Sequence, residues 1–379
     1  MVRRALGSNA HSPQTEVMLP DLEYMNRALD LAERGRGTTS PNPMVGAVVV
    51  REDGAIVGQG YHERAGEAHA EVRALDEAGA LARGAWLYCT LEPCSHTGRT
   101  GPCVDRIMAA GVRRVVAAIT DPDSRVSGRG FEILRQKGVE VLVGVGRDRA
   151  LRLNRPYLTF KAKQRPFVIM KAATSLDNRV AARPGERTQI TSRDALRHAH
   201  AVRAEVDAIA VGSGTMIADD PLLTVREVHR QRPLARVLFD RRLRIDPSAR
   251  VFSTLAAGPV IIVTTPESME RNSRRARDLE RAGAELEPIR SGGLVAAFAR
   301  LGDRQMLSLV LEGGVALQAA AWDAGLVDAV HVYIAPVILG DAALPWLDSV
   351  TVSIASLVDR HVMPLGPDVF MEGYVHGID

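Results

Sequence analysis

At 379 residues, with 46% hydrophobic and 25% charged side chains, the chain has the length and balance of about two globular domains of ~150 residues each. A formal net charge of +3 is too slight a bias to demand a nucleic-acid partner. No run approaches the ~18 consecutive apolar residues of a membrane span, and MVRRALGSNAHSPQTE lacks the apolar core of a signal peptide.

Residues 1–20 are polar and unpatterned and read as a disordered tail. From Leu22 to Arg36 apolar residues recur at helical spacing (Met25, Ala28, Leu29, Ala32). Val45 to Val50 is a β-branched run, and Ala55-Ile56-Val57 follows it across Asp53-Gly54, the signature of a hairpin. His69–Ala78 reads as a helix, Ala85–Thr90 as a strand, Pro102–Gly111 as a helix and Val115–Ile119 as a strand, with one more helix-strand pair ending near Val145. That order predicts an α/β sandwich around one sheet.

Asp148 to Gln164 is rich in Arg and Lys without strong periodicity, and a domain boundary is expected there, between 164 and 165. Strands are then expected at Phe167–Ala172, Ala208–Val211, Ala235–Phe239, Val260–Thr264, Leu307–Leu311, Ala329–Ile334 and Val369–Val375. Helical segments alternate with most of them, which predicts a second, largely parallel α/β sheet.

The chemistry-bearing residues cluster early. All three cysteines, Cys89, Cys94 and Cys103, lie within fifteen residues, and an odd number in a long chain points to a reducing, cytoplasmic setting rather than a disulfide framework. Cys89 falls inside a strand pattern and reads as a small core residue. His69, Cys94 and Cys103 make a three-ligand set for Zn²⁺ with a fourth position left for water, and Glu71 is placed to move protons, as in zinc-dependent deaminases. Glu71 lies about 200° around a regular helix from His69, so the pair shares a cleft only if His69 sits at the frayed first turn. Eight residues separate Cys94 from Cys103, where the general signature has two.

Pro41-Asn42-Pro43, Gly58-Gln59-Gly60-Tyr61-His62, His69-Ala70-Glu71, Thr90 to His96, Gly98-Arg99-Thr100, Pro102-Cys103, Asp121-Pro122 and Gly128-Arg129-Gly130 together carry a resemblance. Residues 21–164 resemble the pyrimidine deaminase half of the bifunctional riboflavin-biosynthesis deaminase/reductases, in which the longer cysteine loop is usual. The resemblance implies a cytidine-deaminase-like α/β/α sandwich. It also implies zinc on His69, Cys94 and Cys103, Glu71 as the proton shuttle, and substrate contacts at Asn42, His62, Arg99 and Asp123. The last of these positions often carries Asn in the family.

By their residues alone, 165–379 say α/β with weak nucleotide-binding signals. Gly212-Ser213-Gly214 lacks the third glycine of a dinucleotide fingerprint, and Glu312-Gly313-Gly314 reads as either a phosphate approach or a tight turn. Lys171 to Asp177, Ile190-Thr191-Ser192, Val211 to Thr215, Ala218 to Pro221, Leu223-Thr224-Val225-Arg226, Glu312-Gly313-Gly314 and Tyr333 to Pro336 resemble the reductase half of the same family. This implies a dihydrofolate-reductase-like domain that uses NADPH to turn the ribose of a pyrimidine ribotide into a ribityl chain. Implied cofactor positions are Ala173, Gln189, Thr215, Asp219, Arg241, Gly313 and Gly314; implied substrate positions are Lys171, Arg187, Arg203, Leu223, Arg226 and Glu312. Arg187, Gln189, Arg241 and Val337 depart from the family pattern. Arg187 is a candidate for the substrate phosphate and Arg241 for the extra phosphate of NADPH. The expectation is a bifunctional homo-oligomeric enzyme with a small-molecule partner and neither nucleic acid nor membrane. The alternative is a deaminase carrying a non-catalytic binding or oligomerisation module.

Overall fold

A computed structural model of the protein describes residues 19–95, 101–123, 126–186, 188–347 and 356–377. Arg99, Arg187 and nearly all of the N-terminal tail lie outside the described residues. The described chain divides into two compact units, one holding 19–34, 45–62 and 66–150, the other 35–44, 63–65 and 151–377.

The first unit runs α1 (Leu19–Glu33), β1 (Gly46–Val50), β2 (Ile56–Tyr61), α2 (Ala70–Ala78), β3 (Trp86–Cys89), α3 (Cys103–Ala110), β4 (Arg114–Ala117), α4 (Arg129–Gln136) and β5 (Glu140–Val143). These strands form one sheet in the order β2-β1-β3-β4-β5. The Asp53-Gly54 hairpin forms as expected, with β1 and β2 antiparallel, and β3, β4 and β5 run parallel. β1 is buried along its whole length, as its unbroken Gly-Ala-Val-Val-Val sequence requires. Helix α2 lies directly on β2: a Cβ at Gly60 would meet Arg73 Cβ at 2.6 Å and Ala70 O at 2.8 Å. Glycine is what lets this helix approach the strand so closely. Helix α1 begins at Leu19, before the Leu22 expected from periodicity, and ends at Glu33.

The basic stretch 148–164 is not irregular. It forms α5 (Arg147–Leu153) and α6 (Arg155–Lys163), with Ala150, Leu153, Tyr157 and Phe160 buried. Its cations are partnered far along the chain: Arg149 with Asp30 at 2.5 Å and Lys163 with Asp328 at 3.2 Å. Local periodicity carries no trace of such partners.

The second unit continues with β6 (Phe167–Ser175), β7 (Arg179–Ala181), α7 (Arg193–Glu205), β8 (Ala208–Gly212), α8 (Ser213–Asp219), β9 (Ala235–Phe239), β10 (Val260–Thr264), α9 (Pro266–Arg271), α10 (Ser273–Arg281), β11 (Ala284–Pro288), α11 (Gly293–Asp303), β12 (Ser308–Gly313), α12 (Val315–Asp323), β13 (Ala329–Ala335), β14 (Leu344–Pro345), β15 (Val358–Leu365) and β16 (Asp368–Tyr374). Nine strands form a sheet ordered β11-β10-β9-β8-β12-β6-β13-β16-β15, parallel up to β13, with β16 and β15 added antiparallel. Apolar clusters cover it, one around Phe298, Leu309 and Leu311 and another around Ile209, Leu238 and Ile262. Because β6, β8, β9 and β12 are parallel, their C-terminal ends open on one edge, where α/β sheets bind ligands.

Candidate functional sites: a metal-ligand triad and a parallel-sheet edge

In the first unit, His69 is the residue before α2, with φ −69° and ψ 160°, and is not helical. With an extended backbone His69 is not held to the 200° of a regular helix, and it lies close enough to buried Glu71, in the first helical turn, for the two to interact electrostatically. Cys94 lies in the loop leaving β3, and Cys103 opens α3 after Pro102. His69 Nδ1 is 3.2 Å from Cys103 Sγ and 3.5 Å from Cys94 Sγ, and all three potential ligand atoms lie within 4.8 Å of one another. A tetrahedral Zn²⁺ with ordinary bond lengths separates its N and S ligands by about 3.6 Å and two S ligands by about 3.8 Å. The donor set and its spacing therefore fit zinc.

The electrostatics set the two thiols apart. The Cys94 thiol is lowered to about 4, first by the hydrogen bond from Cys103 Sγ and further by His69 and by the Cys103 amide, which donates at 3.3 Å. The Cys103 thiol is pushed up, first by its Cys94 neighbour and then by burial. His69 is raised to about 9, chiefly by Cys94. Glu71 is raised by burial, against the pull of His69.

His62 is buried, with its ring edge-on to His69 at 5.6 Å and Nδ1 3.2 Å from Ala68 O. Burial lowers its pKa, leaving a neutral imidazole. Asp123 is buried, and its amide donates to Asp121 Oδ1 at 2.9 Å. Asn42 belongs to the 35–44 segment of the second unit, where its amide donates to Thr39 O at 2.8 Å. Glu92, to which the cysteine motif by itself assigns no role, is buried and accepts the amides of Asp121, Gly128 and Gly130 at 3.2, 2.9 and 2.9 Å. It ties the 121–130 loop to the Cys94 loop. Its proximity to Pro93-Cys94 is the sequence signal that marks it. Cys89 is fully buried core, as expected.

In the second unit, Leu311 of β12 lies beside Met170 of β6 in register, so Lys171 and Glu312 follow side by side at the same level of the sheet edge. Arg203, from α7, grips Glu312 bidentately, Nε to Oε1 and Nη2 to Oε2, both at 2.5 Å. Burial opposes the Glu312 charge, yet Arg203 and then Lys171 outweigh it and hold the carboxyl at about 2. Lys171 is lowered, first by burial. Glu312 and Gly313 complete β12 rather than follow it. A Cβ on Gly313 or on Gly314 would come within 3.3 Å of Thr215 Oγ1, in the first turn of α8. These three implied cofactor positions thus make a cradle of bare glycine backbone and one hydroxyl at the edge, suited to a phosphate-bearing ligand.

The remaining positions are more dispersed. Asp219 ends α8. Ala173 packs beside the Tyr333–Phe370 cluster. Gln189 is exposed and donates to Thr191 O at 2.9 Å, and Arg241 is exposed just past β9. The Leu223 side chain is core, which leaves its backbone for any ligand. Arg226 is exposed, and its amide donates to His200 Nδ1 at 3.2 Å. His200 belongs to none of the sequence motifs; its place three residues before Arg203, on the same helix face, is the available signal.

The first sheet and its triad define a zinc-dependent deaminase domain, and the second a parallel-sheet domain with a nucleotide-type edge. Residues 18–119 match the model of the cytidine and deoxycytidylate deaminase zinc-binding region, and residues 166–371 match that of the RibD C-terminal domain. The chain is 42% identical over 370 residues to the riboflavin biosynthesis protein RibD of Escherichia coli, covering 93% of this chain and 98% of that one. It is 42% identical over 321 residues to RibD of Aquifex aeolicus, covering 85% and 88%. Among solved structures, Acinetobacter baumannii RibD superposes with a TM-score of 0.83 at 34% identity, covering 94% and 98%. A diaminohydroxyphosphoribosylaminopyrimidine deaminase/5-amino-6-(5-phosphoribosylamino)uracil reductase from Thermotoga maritima gives 0.80 at 31%, with the same coverage. The chain belongs to the RibD family of riboflavin-biosynthesis proteins.

Proposed function

We infer that this protein carries out two successive steps of riboflavin biosynthesis on one ribotide. The first is hydrolytic deamination of 2,5-diamino-6-(5-phosphoribosylamino)pyrimidin-4-one; the second is NADPH-dependent reduction of the ribosyl chain to ribityl. The observation that carries the reading is the joint presence of the His69–Cys94–Cys103 triad with buried Glu71 and the Lys171–Arg203–Glu312 cluster beside the Gly313-Gly314 cradle.

His69, Cys94 and Cys103 would hold zinc, which when bound supplies Lewis-acid activation of water. Glu71 takes the proton from the attacking water and returns it to the amine nitrogen, which leaves as ammonia while the ring carbon keeps the oxygen. His62, neutral and buried beside His69, contacts the pyrimidine, with Asn42, Asp123 and Arg99 as further contacts. In the second step NADPH supplies the hydride. Thr215, Gly313 and Gly314 hold the dinucleotide with Asp219, Ala173, Gln189 and Arg241. Lys171, Arg203, Arg226, Glu312, Arg187 and the Leu223 backbone orient the ribotide.

We place the deaminase in 21–164 and the reductase in 165–379, and read the protein as a cytoplasmic homo-oligomer that needs no nucleic acid or membrane. No helix among the described residues is long and apolar enough to cross a membrane. One assay tests the function: the diaminopyrimidine ribotide with NADPH, following ammonia release and nicotinamide absorbance together. Both signals are expected in sequence. Ammonia without NADPH oxidation would make the second domain a non-catalytic module.

A further inference from the structure

The segment after α8 has an unusual backbone. Three non-glycine residues within 220–227 have left-handed φ: Asp220 at 39°, Leu223 at 54° and Glu227 at 62°. Such conformations persist only where the surroundings over-determine them. Here the anchors are specific. The Leu223 side chain is buried in the core, Arg203 Nη1 donates to Thr224 O at 3.2 Å, and the Arg226 amide donates to His200 Nδ1 at 3.2 Å. His200 and Arg203 stand three residues apart on α7, so one helix face grips the segment at Thr224 and again at Arg226. Arg203 is fixed in turn by Glu312 at the sheet edge.

We propose that His200 is a positioning residue of the reductase site: by accepting the Arg226 amide it sets the backbone from which Arg226 reaches the anionic end of the ribotide. The inference rests on the reductase reading above. Because Nδ1 accepts, the ring proton sits on Nε2, the neutral tautomer. That state is maintained at neutral pH, since burial first and then Arg203 and Arg226 lower His200 to about 4. Protonation would turn the acceptor into a donor facing an N–H.

The test compares substitutions that keep or lose an acceptor at the Nδ1 position. His200→Asn retains one in roughly the same place, whereas His200→Leu fills the space without one, and the longer side chain of His200→Gln cannot place its oxygen there. With the deaminated ribotide as substrate, the Leu variant is expected to raise KM for the ribotide about tenfold, the effect of one lost hydrogen bond in a site. Its kcat, its KM for NADPH and its deaminase rate should stay near wild type. The Asn variant should restore KM to within about twofold. Equal ribotide KM in the Asn and Leu variants overturns the positioning role. Should the Leu protein not fold, the Asn and Gln variants make the same comparison. Wild-type protein that never oxidises NADPH would instead overturn the reductase reading, and this proposal with it.

Discussion

Glu92, two residues before Cys94 in the chain, meets Gly130. The Glu92 carboxylate accepts the Gly130 amide at 2.9 Å, and any Cβ on Gly130 would run into the Pro93 carbonyl oxygen. The loop carrying Cys94 is therefore braced by a loop some thirty-five residues further on.

Gly130→Ala should push that brace apart. Overpacking of this kind costs about 1–3 kcal/mol, and it falls beside a ligand. The expected outcome is weaker zinc retention on dialysis and a lower deaminase rate, with reductase kinetics unchanged. Zinc content per chain checks it.

Glu71→Gln keeps the shape of the buried side chain but cannot carry the proton. Deamination should fall by roughly 10²–10⁴-fold while the protein still binds one zinc. Ammonia release measured against metal content distinguishes a lost shuttle from a lost site.

Chelation should separate the two activities. Treatment that strips zinc, or Cys94→Ser, should abolish ammonia release. NADPH oxidation should persist when the deaminated ribotide is supplied, because no metal-ligand cluster among the described residues lies at the second sheet edge. Loss of both activities together would count against two independent sites.

Glu312 makes the second unit acid-sensitive. Its carboxyl, at about 2, lies below the ~4.3 of an unfolded glutamate. Ionised Glu312 therefore stabilises the fold fully above about pH 4.3, and the contribution fades as pH falls toward 2. Glu312→Gln should lower stability at neutral pH and flatten its decline over that acid window. Denaturant melts of wild type and variant at stepped pH values measure the difference.

Asp21 tests the first unit. It is fully buried, accepting from Tyr88 Oη at 2.7 Å and lying 3.4 Å from Arg114 Nη1. Asp21→Ala leaves buried Arg114 with only Glu140, 3.1 Å away, as its carboxylate partner and leaves Tyr88 Oη without its acceptor, which should cost about 1–3 kcal/mol. A lower thermal transition followed by deaminase activity checks it, and an Asp21→Ala protein as stable as wild type would refute the role.

Several elements are legible in the amino-acid sequence because their signals are local. The Asp53-Gly54 turn lies between two apolar runs, and β9 and β10 are apolar enough that their expected bounds coincide with the observed ones. Others leave no such signal. β15 is exposed along most of its length and so has no alternating pattern. In β11 exposed Glu285 and buried Glu287 answer to Arg304 and Arg300, on α11 and just beyond it.

The sequence by itself determined the metal chemistry and the family. His69, Glu71, Cys94 and Cys103 lie within thirty-five residues, and soft thiolates with one imidazole select zinc whatever the fold around them. Tertiary structure decided what holds those residues in place and how the reductase site is assembled. His69 serves only because its backbone stays extended before α2, and Glu92 acts through amides 29 to 38 residues away. Arg203 and Glu312 are 109 residues apart and meet only because β8 and β12 are neighbours in the sheet. Contacts of that range depend on strand order, and strand order follows from burying a whole sheet rather than from any short run of residues.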